Sequence, residues 1–193
     1  MSEQGAMSGE LALAVSEEDH IRGDPAAPLT LVLYGDFECT DTGAANREVR
    51  ELEERLGERL RFVFRNFPLT EIRRHALDAA EAAEAAAAQG RYWAMYDLLF
   101  ENQRHLHAEH LHEYAGQVGL DVERFDADVA EHEHLDRIEE DAMSGERSGV
   151  GGAPAFFVGG LRHEGAYDVE TLEAALARAV YLSLDPPIPV DPG

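Results

Sequence analysis

Two apolar runs joined by one amphipathic segment limit the folds open to this chain more than any other feature. The stretch "DPAAPLTLVLYGDF" supplies turn residues at Asp24, Pro25 and Pro28 and then a nearly unbroken apolar run, Leu29–Tyr34. A run that is apolar on both alternating faces reads as a strand covered on both sides, the usual state of a strand in a parallel sheet. From Thr40 to Leu56 the chain turns to helix formers, with Val49, Leu52 and Leu56 spaced three and four apart and Gly57 as a stop. "LRFVFRNFP" then reads as a second strand, Leu60 onward, closed by Pro68. Strand, helix and strand form a βαβ unit, which places the chain in the α/β class with a right-handed crossover.

Downstream, residues 76 to about 142 read as helical, from the alanine-rich "ALDAAEAAEAAAAQG" to "DVERFDADVAEHEHLDRIEEDAMSG", punctuated by Gly90, Gly119 and Gly145. Alanine is the best helix former, so its run predicts ordered helix and not linker. A short strand at Ala155–Val158, a Gly-Gly turn, a second strand near Leu161–His163 and a helix from Val169 to about Leu184 complete the pattern. The predicted division is an N-terminal extension over 1–25, one domain over 26–184 with a helical insertion at about 76–143, and a mobile proline-rich tail over 185–193. At 193 residues and 45% hydrophobic content, one core with an elaboration is the expected size.

Charge narrows the function classes. A formal net charge of −23 repels nucleic-acid backbones and anionic lipid, so neither is an expected partner. All 16 basic residues are Arg, which removes Schiff-base and lysine-nucleophile chemistry. The opening residues are acidic and carry only the five-residue apolar run Leu11–Val15, and no stretch reaches the length of a membrane span. The expected setting is cytoplasmic, where a lone cysteine stays reduced.

That lone cysteine, Cys39, stands where the first strand hands over to the helix. Unpaired backbone N–H groups and the positive end of the helix dipole favour a thiolate there. Asp36, Glu38 and Asp41 all lie within three residues and oppose it, so a moderate nucleophile is expected. Far along the chain, "GGAPAFF" sets Pro154 after two glycines and before an apolar strand, which makes Ala153–Pro154 the prime candidate for a cis peptide bond.

With both features in view, the sequence resembles the DsbA-like branch of the thioredoxin superfamily. The resemblance runs through "DHIRGDPAAPLTLVLYGDFEC", "LRFVFRNFPLTEI", "AAEAAEAAAAQGRYWAMYDLLFENQ" and "SGVGGAPAFFVGGLRHEGAYD". It implies a thioredoxin-like fold with a helical insertion over the active-site face, Cys39 as the attacking cysteine, and a substrate-binding loop at Ala153 and Pro154 packed against it. The family's second cysteine is replaced by Thr42. Thr42 can offer a hydroxyl to the Cys39 thiolate but cannot resolve a mixed disulfide. The implied activity is therefore a monothiol thiol–disulfide oxidoreductase with Cys39 and Thr42 as its catalytic pair. It would act on protein thiols and disulfides, bind no cofactor, and use glutathione as a candidate co-substrate. A glutathione-dependent isomerase or transferase and a non-catalytic peptide-binding module are the alternatives.

Other groups carry less. His105, His107, His110, His112, His132 and His134 meet no established ligand spacing and read as solvated, so no metal is expected. Trp93, Tyr96, Leu99 and Phe100 recur at helical spacing and read as the insertion's core. Arg73, Arg74 and His75 read as a solvated turn, and the acidic helix faces that carry Glu81 and Glu84 call for no functional explanation.

Overall fold

The strand Leu29–Gly35 (β2) lies at the centre of a five-stranded sheet in the computed structural model, which describes residues 9–184. An edge strand, His20–Gly23 (β1), precedes it, and the helix Thr40–Leu56 (α1) leads from it to Leu60–Asn66 (β3). Five helices follow: Ala76–Ala87 (α2), Tyr92–Glu101 (α3), Ala108–Gln117 (α4), Val122–Ala130 (α5) and Leu135–Arg147 (α6). The chain returns through Ala155–Val158 (β4) and Leu161–His163 (β5) to the helix Val169–Leu184 (α7).

The sheet order is β1-β3-β2-β4-β5, with β2 and β3 parallel and the other pairs antiparallel. The period-2 alternation of β2 explains why both its faces are apolar. Leu31 and Leu33 join Phe62, Phe64, Val49 and Leu52 in the large core under α1. Val32 and Tyr34 join Val63, Val150 and Phe157 in a smaller core on the opposite face.

Three sequence expectations need correction. The N-terminal extension is not separate from the domain: within residues 1–25, β1 pairs with β3 from His20↔Phe64 to Gly23↔Arg61. Its four residues, "HIRG", carry no alternating apolar face, because an edge strand is held by its ladder and its neighbours. Arg65 draws the preceding segment in as well, donating to the carbonyls of Leu13 and Ala14 and pairing with the Asp19 carboxylate at 2.8 and 3.0 Å. Gly145 does not end a helix but sits inside α6, where an added Cβ would lie 2.9 Å from the Phe67 ring and 3.0 Å from the Tyr34 ring. Its absent side chain lets α6 press onto the sheet.

The third correction concerns Glu81 and Glu84, which are buried. Glu84 contacts His20 at 2.9 Å and accepts from the Asn66 side chain at 2.7 Å, while His132 sits 2.6 Å from Glu81. Nothing local reveals this, because the groups that cover them come from β1, β3 and the α5–α6 connection. The residues assigned to the tail, 185–193, lie outside the described part of the chain.

Candidate active site around Cys39

Cys39 is the N-cap of α1, with extended backbone (φ −78°, ψ 118°) and its thiol sulfur accepting from the Thr42 backbone N–H at 3.5 Å. Its carbonyl accepts the first helical bond, from Gly43 N–H at 2.9 Å. The sulfur thus replaces the oxygen of a usual capping side chain and faces the positive end of the helix. On its other side the Sγ–H donates to the Ala153 carbonyl at 3.4 Å. The Ala153–Pro154 peptide bond is cis. Sheet register explains the meeting of residues so far apart: Tyr34 pairs with Ala155, so the loop before β4 must lie beside the turn that leaves β2.

The carboxylates beside Cys39 are occupied elsewhere. Asp36 is buried and accepts from the backbone N–H groups of Glu38 at 2.8 Å and Leu69 at 2.9 Å. Burial pushes its carboxyl up, against the opposing pull of those two amides. Glu38 accepts from His75 N–H at 2.7 Å, just before α2 begins. Both side chains therefore tie the cysteine turn to the β3–α2 connection. Asp41 is exposed on the first turn of α1.

Thr42 is fully buried. Its hydroxyl accepts from Asp36 N–H at 3.5 Å, so its contact with sulfur is made by the backbone and not by the hydroxyl foreseen from the sequence. The inward turn of the side chain follows from its place on the α1 face that packs against the sheet. Cys39 itself has no exposed surface. A groove of about 390 Å³ opens beside this arrangement, lined by Phe67, Leu69, Ile72, Ala142 and Val150 and reaching Gly151, two residues before Ala153.

The family model described as Thioredoxin matches residues 15–178. The chain belongs to the thioredoxin family. Its fold is that of the DsbA-like members: oxidised BdbD from Bacillus subtilis superposes with a TM-score of 0.79, covering 91% of this chain and 98% of that one at 18% identity. The alpha-DsbA1 protein of Wolbachia pipientis gives a TM-score of 0.74 over 90% and 98%, also at 18% identity. A thioredoxin-like oxidoreductase from Silicibacter pomeroyi gives 0.72 over 85% and 93% at 26% identity. Among curated proteins, the chain is 45% identical to Na(+)/H(+) antiporter NhaA 1 of Salinispora arenicola over 163 residues, which is 84% of this chain and 25% of the relative. A Na(+)/H(+) antiporter NhaA of Herminiimonas arsenicoxydans is 44% identical over 160 residues, again 25% of its length. The chain thus spans about a quarter of these relatives.

Within this thioredoxin-family site the structure brings Cys39, Thr42 and Ala153 into direct contact, although Ala153 lies 114 positions beyond Cys39. Four of the histidines form a chain of ring contacts away from Cys39, with His107 and His110 at 6.0 Å as its middle link. His75 and His107 stack edge to face at 4.4 Å and His105 and His110 at 5.1 Å, whereas His112 pairs with Asp126 and His132 with Glu81. No group of three or more side chains suited to a metal ion occurs among the described residues. Arg73 stands 3.9 Å from Asp36. Tyr96 packs with Phe37, Phe64 and Phe100 at 4.8–5.6 Å, so the insertion's aromatic core also braces the turn before Cys39. Gln103, which the sequence reading passed over, donates to the carbonyls of Phe37 and Cys39, both at 2.8 Å. Its only sequence signal is its position just past a helix, 64 residues from the carbonyl it holds.

Proposed function

We propose that the chain is a monothiol thiol–disulfide oxidoreductase acting in a cytoplasmic setting, with Cys39 as nucleophile and glutathione as the external resolving thiol. The observation that carries this reading is the position of Cys39 Sγ, 3.5 Å from the Thr42 N–H at the start of α1 and 3.4 Å from the Ala153 carbonyl. A thiolate there meets a backbone donor and the helix dipole, and an extended substrate can take up the Ala153 backbone once the thiol leaves it. The groove lined by Phe67, Leu69, Ile72, Ala142 and Val150 and ending at Gly151 supports a polypeptide substrate that carries an apolar side chain.

On a glutathionylated protein the steps balance as follows. Cys39 releases its proton to solvent, and its thiolate attacks the glutathione sulfur. A Cys39–glutathione disulfide forms as the original disulfide breaks, and the protein thiolate leaves and takes up a proton. A second glutathione thiolate then attacks the bound glutathione sulfur, releasing Cys39 and oxidised glutathione. Thr42 offers no second sulfur, so this last step is intermolecular. Mass spectrometry of folded protein incubated with oxidised glutathione tests the reading. A prompt adduct on Cys39 is expected, and an unmodified thiol overturns it.

The full burial of Cys39 and Thr42 favours a second reading, a thioredoxin-fold binding module without redox turnover. The antiporter relatives, of which this chain matches about a quarter, fit a module that serves beside a larger protein. Retention of a peptide by the groove together with an unreactive native thiol would select this reading.

A further inference from the structure

We propose that Gln103 is a positioning residue that clamps the Cys39 turn to the helical insertion and keeps the thiol seated at the helix terminus under Ala153. Its amide nitrogen donates to both Phe37 and Cys39 carbonyls at 2.8 Å, so one side chain grips the chain on either side of Glu38. The strap that carries Gln103 is itself anchored. Asn102 donates to the Leu98 carbonyl at 2.8 Å and closes α3, His105 N–H donates to the Asn102 carbonyl at 2.7 Å, and the Tyr114 hydroxyl donates to the His105 carbonyl at 2.9 Å.

Gly43 supplies independent support. A glycine in the first turns of a helix gives up helix propensity relative to alanine, so its presence calls for a local cause. A Cβ on Gly43 would lie 2.1 Å from Oε1 and 2.9 Å from Nε2 of Gln103. Those atoms end a flexible side chain, so the helix could keep the new methyl group by expelling the amide. The cost would fall on the clamp and not on α1. Gly43 and Gln103 are thus one device, made of a residue that grips and a residue that leaves room for it.

The inference rests on the proposed chemistry of Cys39, but it is tested without that chemistry, by the rate at which iodoacetamide alkylates Cys39 in folded protein. Because the thiol is buried, alkylation follows opening of the turn, and loss of two neutral hydrogen bonds should raise the rate about tenfold in Gln103→Ala. Gly43→Ala should raise it several-fold, and the double variant should react no faster than Gln103→Ala, because the methyl group then displaces nothing. Leu176→Ala, which hollows the core beneath α7, should lower the melting temperature more than either while changing the alkylation rate less.

An unchanged rate in Gln103→Ala, multiplicative effects in the double variant, or equal acceleration by Leu176→Ala would each overturn the clamp. Gly43→Ala removes no side-chain atom and meets only the end of the Gln103 side chain, so it remains informative if Gln103→Ala folds poorly. A glutathione adduct that fails to form on the wild type would defeat the redox reading alone, since alkylation needs no disulfide exchange.

Discussion

The Cys39 thiol and the Ala153 carbonyl meet at 3.4 Å, which joins the start of α1 to the loop before β4 and leaves the only thiol in the chain without exposed surface. Reactivity therefore depends on uncovering the thiol. Native protein should react with a bulky aromatic disulfide reagent at least tenfold more slowly than the same protein in denaturant, as followed by release of the coloured thiol. Equal rates would show that the closed arrangement does not persist in solution.

Thr42 occupies the position from which a second cysteine would resolve a mixed disulfide. Its backbone nitrogen is already 3.5 Å from Cys39 Sγ, and the two residues are one helical turn apart. Thr42→Cys should therefore oxidise to an internal disulfide, seen as a loss of two hydrogens in the mass spectrum, and its pre-reduced dithiol should reduce one insulin disulfide per molecule without glutathione, becoming that internal disulfide as it does so. Wild-type activity should require glutathione, and Cys39→Ser should abolish both. Strong glutathione-independent turnover by the wild type would rule out the monothiol mechanism.

Arg65 is buried against Asp19, the Tyr34 hydroxyl and two carbonyls of the N-terminal segment. Removing its guanidinium strands the Asp19 carboxylate, so Arg65→Ala should lose roughly 3–5 kcal/mol in chemical denaturation. The double variant Arg65→Met, Asp19→Leu leaves no unpaired charge and should recover part of that loss. A single-variant loss below about 1 kcal/mol would contradict the burial of the pair.

Asp141 has its carboxyl pushed up to about 6, chiefly by burial, with Arg137 and the Asn66 N–H pulling it back and Glu84 adding to the rise. In the unfolded chain the group titrates near 3.8, so between about pH 4 and 6 the folded state holds the extra proton. Asp141 therefore contributes stability that is present at about pH 4 and lost as pH rises through 6. Unfolding free energies measured from pH 4 to 7 should show a downward component in the wild type that is missing in Asp141→Asn. Parallel pH profiles for the two proteins would refute it.

The sequence determined the elements that depend on local pattern. The parallel pair β2 and β3 and the helix α1 follow from apolar alternation and 3.6-residue spacing, and α1 spans Thr40–Leu56 as the spacing requires. The position of Cys39 at a strand-to-helix turn is local in the same sense. Tertiary structure decided what depends on partners distant in the chain. The edge strand β1 exists because β3 offers a ladder, Glu81 and Glu84 are buried because other elements close over an alanine-rich helix, and Gly145 stays helical because the space for its side chain belongs to Phe67 and Tyr34. The same holds at the site, where the Thr42 hydroxyl turns to Asp36 and Gln103 reaches back across 64 residues to the Cys39 carbonyl. Periodicity records which face of an element is apolar; it carries no record of which polar group from elsewhere will meet a buried carbonyl, carboxylate or thiol.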